Sequence, residues 1–388
     1  MPVNYFLVER NLNDFSEKTK AHEAQLKETH RQLKGVFQNL DQQAAEIRAK
    51  VERAAGLLGS LYCAKPINEP LLTVKDAPPA PTNYTLVAAD GSQIVPSRHR
   101  SLQFCLINVG LIKLVKGSGQ APSQEIRSEL LDYDRLYSES GALLGEEMVG
   151  LFRDKAERTA ILDFSLVDEL PIITLTDGPL DVFSSSREAD TNRKQIQEDV
   201  AEVQRQLEAR EIINAGYIDK PGSELISRML SIFQTPDDLL ASYEDKQRSL
   251  RGVSDANLLK DWVKKPGQRS AVFEIVSKGD KKLGQRQPVC FFFLNVSQGE
   301  EAWLTRVEFP AWVSRRPELI DLLHAVVYAE TLVLDTHPYP YLLHRAHELA
   351  VISKAEADAV EKMLLQKLDA DGLSIGKRSS KQYHKDTM

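Results

Sequence analysis

Apolar residues recur at alternating steps of four and three through the first part of the chain. This seam runs from Leu26 to Leu58 and has one polar interruption, His30. Residues 10–62 contain no proline and are rich in Glu, Gln, Lys, Ala and Leu, which favour helix. The spacing therefore predicts a long amphipathic helix. One seam does not say whose surface covers it, so packing on its own domain and docking of a second chain or partner both stay open.

The pattern changes after five prolines between residues 66 and 81, which break the helix and mark a linker. Short apolar runs then predict strands over residues 84–89, 102–109, 111–115, 171–176, 272–276, 289–296 and 303–309. Gly110 between two of these runs indicates a hairpin or bulge. Helical spacing returns over residues 124–170, 187–250, 317–335 and 341–368. Strands interleaved with helices predict an α/β fold.

These changes of pattern divide the chain into three parts. Residues 1–75 are predicted to form a helical, coiled-coil-like segment, and residues 76–376 a single domain with a helical insertion at about 187–265. The polar residues 377–388 are predicted to form a loose tail.

Composition narrows the class of protein. The 388-residue chain carries a net charge of −7, which weighs against a histone-like protein that coats nucleic acid through bulk positive charge but leaves room for a local basic groove. The three cysteines form no CxxC motif, which indicates a reducing compartment without a zinc site or disulfide framework. No stretch approaches the roughly 18 apolar residues of a membrane span. We therefore expect a soluble, cytoplasmic protein with no membrane partner.

Two of the predicted strands end in Asp-Gly, at Asp90 and at Asp177. The end of a strand is where an open sheet exposes its chemistry, and a following glycine permits a sharp turn. Carboxylates on neighbouring strands would concentrate negative charge that a divalent cation can neutralise. Two such ions can hold the attacking and leaving oxygens of a phosphodiester. Two ordinary turn aspartates remain the alternative when spacing alone is considered.

Five short motifs follow one another from about Tyr84 to Leu368. They are Asp90-Gly91-Ser92-Gln93-Ile94 with Ile107-Asn108-Val109-Gly110, Asp177-Gly178-Pro179-Leu180, Asn214-Ala215-Gly216-Tyr217-Ile218-Asp219, Arg306-Val307-Glu308-Phe309-Pro310, and Tyr339-Pro340-Tyr341-Leu342-Leu343 with Ala346-His347. In this order they resemble the motifs of the NurA nucleases. The helical stretch before residue 75 has no counterpart among them.

The resemblance implies a fold, an activity and partners. The expected fold is an RNase H-like core with a mixed β-sheet flanked by helices. The expected activity is that of a DNA nuclease dependent on Mn²⁺ (Mg²⁺ as the alternative, two ions per site), with 5′-to-3′ exonuclease and single-strand endonuclease action in DNA end resection. The expected partners are DNA, a second copy in a homodimer, and a HerA-like hexameric ATPase. The alternative is a catalytically silent scaffold on the same fold, binding DNA or the translocase through its N-terminal helix.

The resemblance also assigns site residues. Asp90 and Asp177 match the metal-binding aspartates, and Tyr339 and His347 match a required Tyr and His, with His347 as a further metal ligand or a proton shuttle. The family's catalytic Glu is assigned to Glu157, one turn after an arginine; Glu146, Glu147 and Glu169 lie in the same segment and stay alternatives.

DNA contacts are expected near the first motif, at Arg98, His99 and Arg100. Other phosphate candidates are Lys113, Lys116, Lys264, Lys265, Arg269, Arg315 and Arg316, and Trp262, Trp303 and Trp312 could stack on bases. For each of these taken alone, a solvated cation or a core tryptophan is the simpler interpretation. No Walker motif occurs in the sequence, so any ATP-driven movement must come from a partner.

Overall fold

The computed structural model describes residues 3–58, 60–137, 141–165, 171–180, 191–248, 251–277, 287–334 and 337–373. The predicted tail, 377–388, lies outside them. The chain divides into two compact units: unit 1 comprises Met1–Ala77 and Ile218–Ser314, and unit 2 comprises Pro78–Tyr217 and Arg315–Met388. The division at residues 75 and 376 that the sequence suggested stays a prediction.

The described strands are, in chain order, β1 (Tyr62–Pro66), β2 (Val74–Lys75), β3 (Tyr84–Ile94), β4 (Leu106–Lys116), β5 (Ser123–Leu130), β6 (Ile172–Asp177), β7 (Ile213–Ile218), β8 (Arg269–Ser270), β9 (Phe273–Ser277), β10 (Val289–Asn295) and β11 (Leu304–Pro310). The described α-helices are α1 (Tyr5–Asn39), α2 (Ala44–Leu57), α3 (Glu146–Phe164), α4 (Thr191–Ala209), α5 (Leu225–Gln234), α6 (Asp255–Leu259), α7 (Ala311–Ser314), α8 (Pro317–Thr331), α9 (Tyr341–Ala350) and α10 (Lys354–Ala370). None of these helices is both long enough and apolar enough to span a membrane.

Unit 1 contains the predicted N-terminal helix, divided into α1 and α2 by a single 3₁₀ turn at Asp41–Gln43. Five side chains of the seam are completely buried, whereas Leu40 and Ala44 between them are half-buried; the buried ones are Leu33, Phe37, Ile47, Val51 and Ala54. The later part of the seam therefore packs on its own domain.

The sheet of unit 1 is antiparallel, in the order β1-β9-β10-β11, and β2 pairs with β8 beside β10. Its core includes Phe291, Phe292 and Phe293, all fully buried. The linker predicted to begin at Pro66 is wrong at its start, because β1 already pairs with β9 over Tyr62–Pro66. Proline is compatible with this position because β1 is an edge strand of the sheet.

Unit 2 has strand order β7-β6-β3-β4-β5. Strand β3 is antiparallel to β4 and β4 to β5, whereas β6 is parallel to both β3 and β7. Helix α3 connects the antiparallel part to β6, and α4 connects β6 to β7. This order, with three antiparallel strands followed by two parallel ones, is the RNase H arrangement, which confirms the predicted α/β fold with an RNase H-like core.

Several element predictions are wrong in detail. Strand β5 lies inside the predicted helix 124–170, because its exposed, mostly polar residues at the sheet edge show no apolar alternation. Strand β7 lies inside the predicted helix 187–250. Gly110 forms no hairpin or bulge: it pairs with Asp90 in the middle of an uninterrupted register between β3 and β4. The predicted helix 341–368 is two helices, since Ser353 begins α10 with a capping box.

Candidate active site

The register of the two central strands places Asp90 beside Asp177. Strands β3 and β6 pair in parallel as far as Ala89 opposite Thr176, and the two aspartates are the next residues on their strands. Side chains at matching positions of parallel strands project from the same face, so both carboxylates lie at the point where parallel pairing ends. Strand β3 itself continues to Ile94, so Asp90 does not end its strand as the sequence suggested.

The turn after Asp177 depends on glycine. Gly178 has φ +89° and donates its N–H to the carbonyl oxygen of Tyr217 at 2.8 Å. Only glycine adopts this left-handed conformation without a steric cost. The turn therefore carries the chain away from the sheet directly after the carboxylate.

His347 on α9 contacts Asp90. Its Nδ1 lies 2.6 Å from Oδ2 of Asp90, and the backbone N–H of Gly91 donates to the other carboxylate oxygen at 2.9 Å. The imidazole is 61% exposed, whereas the Asp90 side chain is 15% exposed. Because Nδ1 faces the carboxylate, Nε2 is the ring nitrogen left for a further partner.

Both ends of α9 are fixed by hydrogen bonds. The carbonyl oxygen of Ala350, at its C-terminal end, accepts hydrogen bonds from the hydroxyl of Ser92 at 2.5 Å and the amide of Asn108 at 2.8 Å. At the N-terminal end, the buried carboxylate of Glu330 accepts the backbone N–H of Leu342 at 3.2 Å. The backbone N–H and C=O groups at helix ends have no partner within the helix, so these hydrogen bonds satisfy them and set where α9 lies on the sheet.

Tyr339, just before α9, hydrogen-bonds to Asp177. Its ring meets that of Tyr217 edge-on, with centroids 5.4 Å apart. Burial is the main cause that raises the pKa of Tyr339, and the Asp177 carboxylate raises it further. The phenol therefore stays protonated and acts as a hydrogen-bond donor.

Glu157 lies against β3 on the side that faces α3. A β-carbon at Gly91 would be only 2.4 Å from Oε1 of Glu157, so the carboxylate occupies the space that this glycine leaves open. Burial, followed by the negative charges of Asp154 and Asp90, raises the pKa of Glu157 to about 8. Since successive residues of a strand face opposite sides, Asp90 projects to the other side, toward α9.

Arg153 is the arginine one turn before Glu157 that led to the assignment of Glu157, and the structure shows which groups it contacts. Its guanidinium lies 3.1 Å from Oε1 of Glu157, 3.1 Å from the amide oxygen of Gln93, and 3.0 Å from the carboxylate of Asp154. The sequence does not predict the contacts with Gln93 and Asp154, whereas the i, i+4 spacing of Arg153 and Glu157 on a helix already indicates their pairing.

The other glutamates of this segment lie elsewhere. Glu147 pairs with Arg193 of α4 at 3.2 Å, and Glu146 is exposed in the first turn of α3. Glu169 lies outside the described residues. Glu157 is therefore the described glutamate of α3 whose carboxylate interacts with Asp90.

The predicted DNA contacts separate into two kinds. Arg98 and His99 are exposed. Arg100 instead pairs with the buried carboxylate of Glu361 on α10 at 3.0 Å. Among the further candidates, Arg269 is buried on Glu69, and Arg316 pairs with both Glu211 and Glu318.

Comparison with known proteins identifies the family. The sequence model of the NurA domain matches residues 84–352, which is more than half of the chain. The chain belongs to the NurA family. Asp90, Glu157, Asp177, Tyr339 and His347 all lie within the matched NurA domain, whereas α1 and α2 precede it.

Two solved structures are similar to this NurA chain at low identity. The crystal structure of the NurA nuclease from Sulfolobus solfataricus has 12% identity and a TM-score of 0.48, over 86% of this chain and 95% of that one. The crystal structure of Drosophila Piwi has 11% identity and a TM-score of 0.27, over 68% of this chain and 29% of that one. A search of curated proteins gave no match.

The NurA site has the donor chemistry of a hard divalent cation: three carboxylates and an imidazole suit Mn²⁺ or Mg²⁺. Within the described ranges, however, no three His, Cys, Asp or Glu side chains converge closely enough to hold a metal ion. The carboxylates are instead engaged with protein partners: Asp90 with His347, Asp177 with Tyr339, and Glu157 with Arg153. The residue types suit a divalent metal ion. A bound ion would replace these contacts between the carboxylates and their protein partners.

Proposed function

We propose that this chain is a metal-dependent deoxyribonuclease that hydrolyses phosphodiester bonds. Membership of the NurA family supports a nuclease. The observation that carries the proposal is the placement of Asp90 and Asp177 side by side at the end of parallel pairing, with His347 and Tyr339 on their carboxylates. An acidic pair flanked by a proton carrier and a neutral hydrogen-bond donor suits phosphate hydrolysis.

In this proposal Asp90, Asp177 and His347 would hold the Mn²⁺ or Mg²⁺ ions from the α9 side of β3, and Glu157 would join them from the α3 side by leaving Arg153. A bound ion would supply Lewis-acid stabilisation of the phosphate and an activated water. The neutral Tyr339 hydroxyl would donate a hydrogen bond to a phosphate oxygen. If His347 is not a ligand and keeps Nδ1 on Asp90, Nε2 is the atom that can exchange a proton with the leaving oxygen.

The finer assignments are also proposals. We infer 5′-to-3′ exonuclease and single-strand endonuclease action in DNA end resection, by a homodimer that works with a HerA-like hexameric ATPase. These assignments are supported by family membership alone. The absence of a Walker motif from the sequence agrees with dependence on a separate motor.

The test is cleavage of end-labelled linear DNA, single- and double-stranded, with Mn²⁺. Asp90→Asn and Asp177→Asn should each lower turnover at least 10³-fold, a loss of roughly 4 kcal/mol of transition-state stabilisation. The matched control is Asp163→Asn. Its side chain is half-exposed at the C-terminal end of α3, and the variant should retain wild-type activity. Glu157→Gln should be inactive and Glu147→Gln active.

Unchanged cleavage by both Asp90→Asn and Asp177→Asn would refute the site. An inactive wild-type protein, with Mn²⁺ and with its translocase present, would favour the silent scaffold instead.

A further inference from the structure

We propose that Trp303, together with Lys220, Lys264 and Lys265 of unit 1, forms a binding site for single-stranded nucleic acid. The inference deepens the proposed nuclease function by naming residues that would hold an unpaired strand. It concerns unit 1 alone, which contains none of the proposed catalytic residues.

Trp303 is a surface aromatic ring held in a fixed orientation. It is 38% exposed, whereas Trp312 is 9% exposed. The indole N–H donates to the carbonyl oxygen of Asp219 at 3.4 Å, and the Trp303 backbone N–H donates to the side-chain oxygen of Asn295 at 3.3 Å. An indole fixed at both backbone and ring, and still open to solvent, suits stacking of an unpaired base.

Lys220 adds a positive charge at the same ring. Its ammonium lies 5.5 Å from the centroid of the Trp303 ring, within cation–π range, and the side chain is exposed. A lysine on a flexible stem can leave the ring face when a base arrives and contact the adjoining phosphate. Trp303 and Lys220 can therefore bind both parts of a single strand: the ring stacks on a base, and the ammonium contacts a phosphate.

Asn295 connects this ring to a second basic loop. Its buried side-chain amide donates to the carbonyl oxygen of Val263 at 3.1 Å, while its backbone N–H donates to the carbonyl oxygen of Gln268 at 2.8 Å. The same residue accepts the backbone N–H of Trp303. One fully buried residue at the end of β10 thus ties residues 263–268 to the segment that ends in Trp303.

The loop tied down by Asn295 presents two exposed lysines. The backbone N–H groups of Lys264 and Lys265 donate to the side-chain oxygen of Gln268 at 3.2 and 3.0 Å, which fixes the loop while both side chains remain in solvent. No acidic group lies within ion-pair distance of either ammonium among the residues that the structure describes. Phosphates are the groups that such lysines bind.

Nearby acidic residues favour a single strand over a duplex. Glu300 and Glu301 are exposed shortly before Trp303, and the carboxylate of Asp219 interacts with both Lys220 and the Trp303 side chain. These charges offset those of the three lysines, so bulk attraction for a polyanion is weak here. Affinity must then come from stacking, which a duplex does not offer because its base faces are already stacked on neighbouring base pairs.

The test is binding of fluorescein-labelled dT20 by fluorescence anisotropy, in the full chain carrying Asp90→Asn and without added metal. Trp303→Ala should weaken dT20 binding by about 5- to 150-fold, the range expected for loss of one stacked base. Trp303→Phe should retain most of the affinity, and Glu300→Gln should increase it. The affinity for a 20-base-pair duplex should be unaffected by Trp303→Ala.

The lysines provide a second, independent measurement. Lys264→Ala with Lys265→Ala should lower the slope of log Kd against log salt by about 0.7 for each lysine. Lys362→Ala, an exposed lysine on α10 of unit 2, is the matched control and should leave the slope unchanged. Thermal melting monitored by circular dichroism checks that each variant is folded.

Wild-type affinity for dT20 in folded Trp303→Ala would overturn the inference, as would an equal loss for duplex. Because binding is measured without cleavage, this result is distinct from failure of the nuclease proposal. A protein that cleaves DNA but binds dT20 independently of Trp303 refutes only the stacking site. A protein that never cleaves but binds dT20 through Trp303 refutes only the nuclease.

Discussion

Gly110 of β4 lies directly against the backbone of Ala346 on α9. A β-carbon at Gly110 would be 2.5 Å from the carbonyl oxygen of Ala346, closer than any carbon–oxygen contact in a relaxed protein. Gly110 is also the register partner of Asp90, and Ala346 immediately precedes His347. The missing side chain therefore lets α9 approach the sheet at the position where His347 reaches Asp90.

We expect Gly110→Ala to lower both stability and nuclease activity. The methyl group meets backbone rather than a flexible side chain, so α9 must move, and overpacking of this kind costs about 1–3 kcal/mol or more. Movement of α9 would withdraw His347 from Asp90. Urea unfolding and cleavage of labelled DNA measure the two effects.

The control for this substitution is Gly150→Ala on α3, where the added β-carbon has no neighbour within 4 Å. It should raise the free energy of unfolding by up to about 1 kcal/mol through helix propensity. Equal effects of the two substitutions would show that α9 does not depend on close approach to β4.

Ser92 and Asn108 are expected to support catalysis through α9. Ser92→Ala and Asn108→Ala each remove a donor from the carbonyl oxygen of Ala350, at a cost of about 1 kcal/mol of stability. We also expect lower kcat with unchanged KM, because His347 is less well positioned. In a His347→Ala background, Ser92→Ala should lower kcat no further, and an additional loss there would contradict a role through His347.

Arg100 should behave as a structural residue and Arg98 as a surface residue. Arg100→Ala removes the guanidinium that pairs with the carboxylate of Glu361, which is 1% exposed, and we expect a loss of about 3 kcal/mol in urea unfolding. Arg98→Ala should stay within about 0.5 kcal/mol of wild type. If Arg98 contacts DNA, its substitution raises KM for DNA instead. Similar destabilisation by both substitutions would refute this distinction.

The pH dependence of stability should show the titration of Asp255, whose side chain is completely buried. Its carboxylate accepts backbone N–H groups at the start of α5, from Leu225, Ile226 and Ser227, yet burial raises its pKa to about 7. The folded protein therefore keeps a proton that the unfolded chain, with a pKa of 3.8, releases. This contribution to stability is complete below pH 3.8 and is lost as pH rises toward 7.

Asp255→Asn separates this contribution from other titrating groups. The variant is destabilised because one of its two side-chain acceptors becomes a donor. Its deficit relative to wild type should shrink by about 2–3 kcal/mol between pH 5 and 7.5, since only wild type loses the proton. Urea unfolding across this range measures the deficit, with exposed Asp238→Asn as control. A deficit that is constant or grows with pH would contradict the raised pKa of Asp255.

The sequence predicts most of the buried strands, because an apolar run is a local signal, but it places the buried β7 inside a helix and ends β3 at Asp90, four residues too early. It does not predict β5, since an edge strand with polar residues on both faces has no apolar period. It also gives no indication that Gly110 serves close packing rather than a turn, because the atoms it accommodates are more than 200 residues away. Likewise, the hydrogen bond from the backbone N–H of Leu342 in α9 to Glu330 can be recognised only from the tertiary structure.

The proposed site is completed late in the synthesis of the chain. Asp90 and His347 are 257 positions apart, and Tyr339 and His347 both come from the segment that ends with α9. A growing chain that stops before residue 337 already holds all three carboxylates but neither the phenol nor the imidazole. Translation would thus yield the strands that carry the carboxylates first, and the proposed site could form only once α9 has been made.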